Sequence, residues 1–271
     1  MRRDPIGAAV RLLRWQAVAR RGGTLEPAWV DGPAGTVRLR LRRGLSSATA
    51  CWYAGLTDPA EMGFVLQALR PGDRMADVGA NVGVYAALAA GAAGARVLAL
   101  EPAAETLPDL RAMLALNGIA DRVEVHAIAA GAAPGTLRFT TGRGTTNRAA
   151  ADGGTEVPVA TLDALAAGAP PVLLKVDVEG GEPEVLAGAA GLLSGGALKA
   201  AILETAGPTD AAIEAAMRAA GFAPFAYDPL RRALAPRDGP ARPNTLYLRD
   251  IPFWTARIAT APAIRVFGRA L

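Results

Sequence analysis

The chain has 271 residues, 51% hydrophobic and 20% charged, with a formal net charge of +4, and can bury one large core with ornaments. Its single cysteine, Cys51, and single histidine, His126, exclude a disulfide framework, cysteine zinc sites and multi-histidine metal sites, and argue against a Ser-His-Asp triad. The longest uncharged apolar run, Val82 to Ala95, has 14 residues and is too short to cross a bilayer, while Arg11 and Arg14 interrupt the first apolar stretch and argue against a secretory signal; a cytoplasmic location is expected.

The first element is basic. Residues 1–50 carry ten arginines against three acids, and residues 5–20 predict an amphipathic helix with Ile6, Ala9, Val10, Leu13 and Ala17 on one face. Such a helix can lie on a membrane or dock on its own domain. Val37-Arg38-Leu39-Arg40-Leu41-Arg42 alternates with a period of two, predicting a half-buried strand in a hairpin between Gly32 and Gly44. Asp58-Pro59-Ala60-Glu61 then opens a helix running to about Leu69, with proline near its first turn.

The next stretch organises the chain. Met75-Ala76-Asp77-Val78-Gly79-Ala80-Asn81-Val82-Gly83 reads as a buried strand, a tight turn and the start of a helix. In open α/β sheets ligands bind beyond the carboxyl ends of the strands, where this turn would lie, and its glycines let a ligand approach. A dinucleotide site wants G-x-G-x-x-G, but Asn81 holds the second-glycine position. Asp77 at the strand tip would repel phosphate and attract a cation. The pattern favours a phosphate-free nucleoside with positive charge, such as S-adenosylmethionine; a plain packing turn is the other reading.

Strand and helix then alternate, the signature of a parallel sheet. Strands are predicted at Val97 to Leu100, Val123 to Ile128, Val172 to Val176 and Ala200 to Leu203, with helices at 103–117, 162–167, 183–193 and 210–220. Two short strands, 136–140 and 156–159, flank a glycine- and threonine-rich loop, Thr141 to Gly154, expected to be a mobile flap. Phe222 to Tyr227 and Thr245 to Leu248 are expected to finish the sheet as antiparallel strands, with a turn at Asp238-Gly239-Pro240 between them. Residues 231–271 carry eight arginines against two acids, and Pro262 interrupts any long helix in the tail.

Acids stand at strand ends where a ligand would be. Glu101, 24 residues after Asp77, could accept hydrogen bonds from ribose hydroxyls. Leu174-Lys175-Val176-Asp177-Val178-Glu179-Gly180-Gly181-Glu182 puts a lysine inside an apolar strand and three acids just beyond it. Such charges are costly unless paired, solvated or functional; a Lys175–carboxylate pair inside the sheet is the structural reading. Glu204 ends the fifth strand and could face the same cleft as Asp177, so the pair could act as a general base or bind a metal, although no ligand spacing supports a metal. Asp177 is the first candidate for the base, followed by Glu179, Glu182 and Glu204. His126 reads as an edge histidine.

The three runs at 77–83, Glu101-Pro102 and 174–182, with Thr161-Leu162-Asp163 and Ile202-Leu203-Glu204, resemble the FkbM family of S-adenosylmethionine-dependent methyltransferases over about residues 55–250. The resemblance implies a class I methyltransferase, Rossmann-like α/β fold: seven strands, mostly parallel, helices on both faces, and the donor over the carboxyl ends of the first two strands. It implies that Asp77, Gly79, Asn81, Gly83 and Glu101 bind the donor and that Asp177 stands where the methyl is transferred, with Glu179 and Glu204 as further catalytic candidates. The expected organisation is a basic extension at 1–55, a methyltransferase domain at 56–250 and a basic, aromatic tail at 251–271.

By that resemblance the activity is O-methylation of a sugar, glycan or natural product, with a small-molecule or glycan acceptor. The chain has no Asp-Pro-Pro-Tyr-like base-flipping motif and no aromatic–basic platform, so no nucleic-acid partner is expected, while the basic termini leave peripheral membrane contact open. The rivals are a non-catalytic binding protein at a membrane or polysaccharide and an NAD-dependent oxidoreductase, against which Asn81 speaks.

Overall fold

In the computed structural model, which describes residues 4–140, 142, 147–149, 153–205, 209–237 and 243–271, helix α1 (Pro5–Arg20) leads into a hairpin of β1 (Ala28–Gly32) and β2 (Gly35–Arg38). Helices α2 (Ser46–Ala54) and α3 (Pro59–Ala68) follow, then β3 (Arg74–Val78) and α4 (Val84–Ala87), which continues as a π-helical turn at Leu88–Ala92. The alternation proceeds through β4 (Arg96–Leu100), α5 (Leu107–Leu116), β5 (Val123–His126) and three strands set aside, β6 (Ala129–Ala130), β7 (Gly135–Phe139) and β8 (Thr155–Ala160). It resumes with α6 (Leu162–Ala166), β9 (Leu173–Val176), α7 (Glu182–Ala187), α8 (Ala190–Ser194), β10 (Ala200–Glu204) and α9 (Asp210–Ala219). The chain ends with β11 (Ala223–Asp228), β12 (Ala233–Pro236), β13 (Asn244–Leu248), α10 (Ile251–Ala259), β14 (Arg265–Val266) and β15 (Arg269–Ala270).

The main sheet runs β12-β11-β13-β10-β9-β3-β4-β5, parallel from β10 to β5 and antiparallel at β10–β13, β13–β11 and β11–β12. Its central strands are apolar on both faces because helices cover both. Met75, Val97, Leu173 and Ile202 join one buried cluster, while Ala76, Leu98, Leu174 and Leu203 join the cluster on the opposite face. The order of connection reverses at β3, whose neighbours are β4 and β9, and a crevice opens there at the carboxyl ends of the strands.

The sheet has eight strands where seven were expected. Asp228 accepts from the backbone N–H groups of Leu230 and Arg231, Arg232 takes a positive φ, and the chain returns as β12 against β11. No apolar run marked this edge strand in advance. β13 pairs antiparallel with β10, and β11 antiparallel with β13, as expected of the two closing strands; β11 therefore points with the parallel set and β12 against it. The turn expected at Asp238-Gly239-Pro240 lies outside the described residues. Most of the expected flap between Thr141 and Gly154 lies outside them too, though β7 and β8 do pair around it.

Both ends of the chain meet in one small sheet, β15-β14-β1-β2, where Val30 pairs with Val266 on one side and Val37 on the other. Val37, Leu39 and Leu41 are fully buried and Arg38 and Arg42 exposed, as the alternation predicts, although regular pairing stops at Arg38. Close packing seats this sheet on the main domain: a Cβ at Gly91 would stand 2.8 Å from the Val37 side chain, and one at Gly32 would meet the Ala92 backbone at 2.6 Å.

Candidate active site

The floor of the crevice is set by strand register. In the β3–β9 ladder Asp77 pairs with Lys175, so their side chains lie side by side on the same face of neighbouring strands. Lys175 Nζ is 3.6 Å from Asp77 Oδ1 and 3.2 Å from Asp177 Oδ2, and donates to the Gly79 carbonyl at 3.2 Å. Burial alone would depress this ammonium, but the Asp177 and Asp77 carboxylates more than offset it and the net shift is upward, so Lys175 stays charged. Asp77 is completely buried, neither carboxylate oxygen has a hydrogen bond, and burial raises its pKa against the pull of Lys175.

The turn after β3 is held from two sides. Gly79 and Ala80 donate to the Leu100 carbonyl, and Asn81, at φ 51°, donates its N–H to Glu101 Oε2 at 2.8 Å. Gly79 has φ 76°, and a Cβ there would run into the Asp177 carbonyl oxygen. Its glycine is demanded by the neighbouring strand rather than by an approaching ligand. Gly83, at φ 82°, caps α4 against Leu110. Glu101 is buried; its Oε1 accepts from Ala103 N–H at 2.8 Å, and burial raises its pKa against these two backbone bonds. Each of its oxygens thus keeps acceptor capacity for a ligand.

At the mouth, β9 and β10 end in acids. Asp177, Glu179 and Glu204 bring one carboxylate oxygen each within 4.8 Å of one another, a spacing that could hold a metal ion; the sequence raised that role for Asp177 and Glu204 but offered no ligand spacing for it. Glu179 sits at φ 57°, a left-handed conformation that a non-glycine residue takes only when its surroundings enforce it. Burial, then the Asp177 and Glu182 charges, raises its pKa. Glu204 is pushed up to about 7 by burial first, then by Asp177, Glu179 and Glu182, and its Oε2 is buried without a hydrogen bond. Glu182 is committed elsewhere: it accepts from Val178 N–H at 3.0 Å and Gly180 N–H at 3.3 Å, fastening the loop, so it drops out as a base.

These groups surround a cavity of about 710 Å³ above the ends of β3 and β4, within the range of small-molecule sites. Among the donor candidates Gly79, Asn81 and Glu101 line it; Asp77 and Gly83 do not, and act from beneath. Asp177 and Glu179 line its rim, with Glu204 adjoining them through their carboxylates. His126 is absent from the lining and hydrogen-bonds Glu124 at 2.7 Å.

Ser47, Cys51, Asp58 and Tyr85 supply a wall of the cavity that no sequence motif announces. Ser47 and Cys51 belong to α2, whose sequence shows no helical face, and Ser47 reaches Asn81 Oδ1 at 3.1 Å. Tyr85 donates to Asp58 Oδ2 at 3.2 Å; burial, then the Asp58 charge, raises its hydroxyl well above the ordinary value. Burial pushes the Cys51 thiol up to about 12, so neither group ionises near neutral pH.

A cationic nucleoside fits this lining. Among the described residues of the lining, Asp58, Glu101, Asp177, Glu179 and Glu184 face Lys175 as the single base, and Leu100, Ile128 and Leu137 offer apolar wall for a flat ring.

Comparison with solved structures returns distant likenesses. An rRNA methylase from Streptococcus thermophilus is 15% identical, with 69% of this chain and 91% of that one covered and a TM-score of 0.41. A precorrin-6y C5,15-methyltransferase from Geobacter metallireducens is 12% identical, covering 70% and 87%, with a TM-score of 0.41. Fibrillarin from Aeropyrum pernix, with natively bound S-adenosyl-L-methionine, is 13% identical, covering 69% and 73%, with a TM-score of 0.40. Comparison with curated proteins returns no match. The model of the methyltransferase FkbM domain, by contrast, matches residues 77–224, from the acid of the first turn to the start of β11. The chain therefore belongs to the FkbM methyltransferase family, and its methyl donor is S-adenosylmethionine.

Proposed function

We propose that this methyltransferase acts on a hydroxyl oxygen of a sugar, glycan or other polyhydroxylated natural product. The observation that supports this reading is Glu204, whose unpartnered Oε2 and pKa of about 7 stand beside Asp177 and Glu179 at the rim of the cavity. A hydroxyl sheds its proton as its oxygen attacks carbon, and a base serves best when its pKa lies near the working pH. Asp177 is the less suitable base because its Oδ2 is tied to Lys175; it is suited to orienting the acceptor hydroxyl. The base role expected first of Asp177 passes in this reading to Glu204.

S-adenosylmethionine, when bound, supplies the electrophilic methyl group. Glu101 would take the ribose hydroxyls on its free acceptor sites, and the acid excess of the lining would hold the donor's positive charge. Lys175 keeps Asp177 in place and screens Asp77 below. Positioning of this kind provides much of the rate in a displacement between two bound molecules. The carboxylates at the mouth favour a neutral, hydroxyl-rich acceptor and would repel a phosphate backbone.

Transfer of labelled methyl from S-adenosylmethionine to a panel of glycosides and hydroxylated natural products tests the reading. Wild-type kcat/KM should rise with pH through about 7, and Glu204→Gln should lose about 100-fold and flatten that rise. A Gln variant with wild-type rate and profile would remove Glu204 from the role. Chelation with EDTA should leave the rate unchanged; loss restored by Mg²⁺ would reassign the three carboxylates to a cation.

A further inference from the structure

Helix α1 is apolar on two sides, and only one of them is used by the fold. Trp15 and Ala19 face inward and are buried. The helix is fastened there: Trp52 Nε1 donates to the Arg11 carbonyl at 2.8 Å, the Arg11 guanidinium donates to the Tyr53 carbonyl and lies 4.6 Å from the Phe267 ring centre, and Asp4 caps the first turn through Gly7 N–H. The other side carries Ile6, Val10 and Leu13, spaced four and three apart, at 79%, 59% and 70% exposure. Leu12 is exposed on the flank, so four of the five exposed large hydrophobics among the described residues belong to this one helix. The face expected to be either a membrane surface or a docking face is thus turned outward, while a different face does the docking.

The charge around this strip is of one sign. Between Pro5 and Leu25 there are four arginines and no acid. Arg11 is turned inward to Asp4, whereas Arg14, Arg20 and Arg21 are exposed and make no ion pair among the described residues. Arg43 is exposed beside Arg20, in a hollow they share with Trp15 and Gln16. A second copy of the chain would bring this acid-free helix against an equally basic one, which like-charge repulsion disfavours. An apolar strip between arginines fits the boundary where anionic headgroups meet acyl chains. The helix has 16 residues, and no helix among the described residues is long and apolar enough to cross a membrane, so the contact is one of lying on the surface.

We propose that α1 seats the protein on an anionic lipid surface, in plane, with Ile6, Val10 and Leu13 entering the acyl boundary and Arg14, Arg20 and Arg21 at the level of the phosphates. The docked helix is hydrogen-bonded to α2, which also provides Ser47 and Cys51 to the cavity wall, so membrane seat and cavity share one rigid support.

Co-sedimentation of the full chain with vesicles of equal parts phosphatidylcholine and phosphatidylglycerol, against vesicles of phosphatidylcholine alone, tests the proposal. Wild type should partition onto the anionic vesicles and release as salt is raised. Two variants, Ile6→Ser/Val10→Ser/Leu13→Ser and Arg14→Glu/Arg20→Glu, should each bind about tenfold more weakly, with unchanged melting temperature and donor binding. Wild type that stays in the supernatant at low salt would overturn the proposal. So would equal binding by the apolar variant, which would reduce the effect to bulk charge. A wild-type dimer that the apolar variant converts to monomer, read by light scattering, would assign the face to a second copy instead.

Discussion

Gly79 builds the site, and Glu204 is the residue proposed to operate it. Gly79 carries φ 76° and has the Asp177 carbonyl where a side chain would begin, so Gly79→Ala must shift either the turn or β9. The cost should be about 3 kcal/mol or more, seen as a lower urea midpoint at unchanged slope. Glu204 carries the opposite trade. Its folded pKa, about 7, is raised above the ordinary 4.5, so the stability linked to its proton is complete below 4.5 and is lost as pH rises through about 7. Glu204→Gln should melt higher than wild type at pH 8, and the difference should shrink as pH falls toward 5. Equal melting curves at pH 8 would mean that the carboxylate is not strained there. A residue that costs stability in the pH range where it would be active is what a site selected for chemistry predicts.

Between elements, the β3–β9 pairing decides the floor of the site. Lys175→Met should cost about 3–5 kcal/mol, because it leaves Asp77 and Asp177 without their shared cation; adding Asp77→Asn should recover much of the loss, and denaturant titration of the single and double variants measures the coupling. An additive pair would show that the buried ion pair carries no mutual energy. This pair was legible in advance, since a lysine amid Leu173, Leu174 and Val176 has to be matched by acids. The core strands were legible for the same reason, each being a short apolar run closed by an acid or a glycine. What escaped was α2, β12 and the pairing of β14 with β1. Those segments are held by distant partners: α2 by its packing against α1, β12 by the Asp228 turn, and Val266 by Val30. Local sequence carries no period for such contacts. Cys51 and Asp58 were missed as cavity residues on the same account, because only the folded sheet brings α2 and the start of α3 over its carboxyl edge, where Asp58 meets Tyr85 of α4.

For the whole molecule, the segments read as separate extensions at 1–55 and 251–271 are joined by β1 and β14 and share one buried cluster that holds Trp29, Trp52 and Trp254. Removing residues 263–271 would uncover the β1 edge and take Phe267 from between Trp52 and Arg11. The truncated chain should melt several degrees lower and expose α1 to proteolysis; an unchanged melting temperature would show the tail to be an ornament. The acidic cavity and the basic helix carry opposite charge, the one matched to a cationic donor and the proposed hydroxyl acceptor, the other to the proposed anionic surface. Among these claims the donor site is central, and calorimetric titration with S-adenosylmethionine tests it most directly, with NAD as the comparison. Micromolar binding of S-adenosylmethionine that Glu101→Ala abolishes while the protein stays folded, with no heat from NAD, is the predicted result. Binding of NAD without S-adenosylmethionine, or undiminished donor binding by Glu101→Ala, would contradict the account.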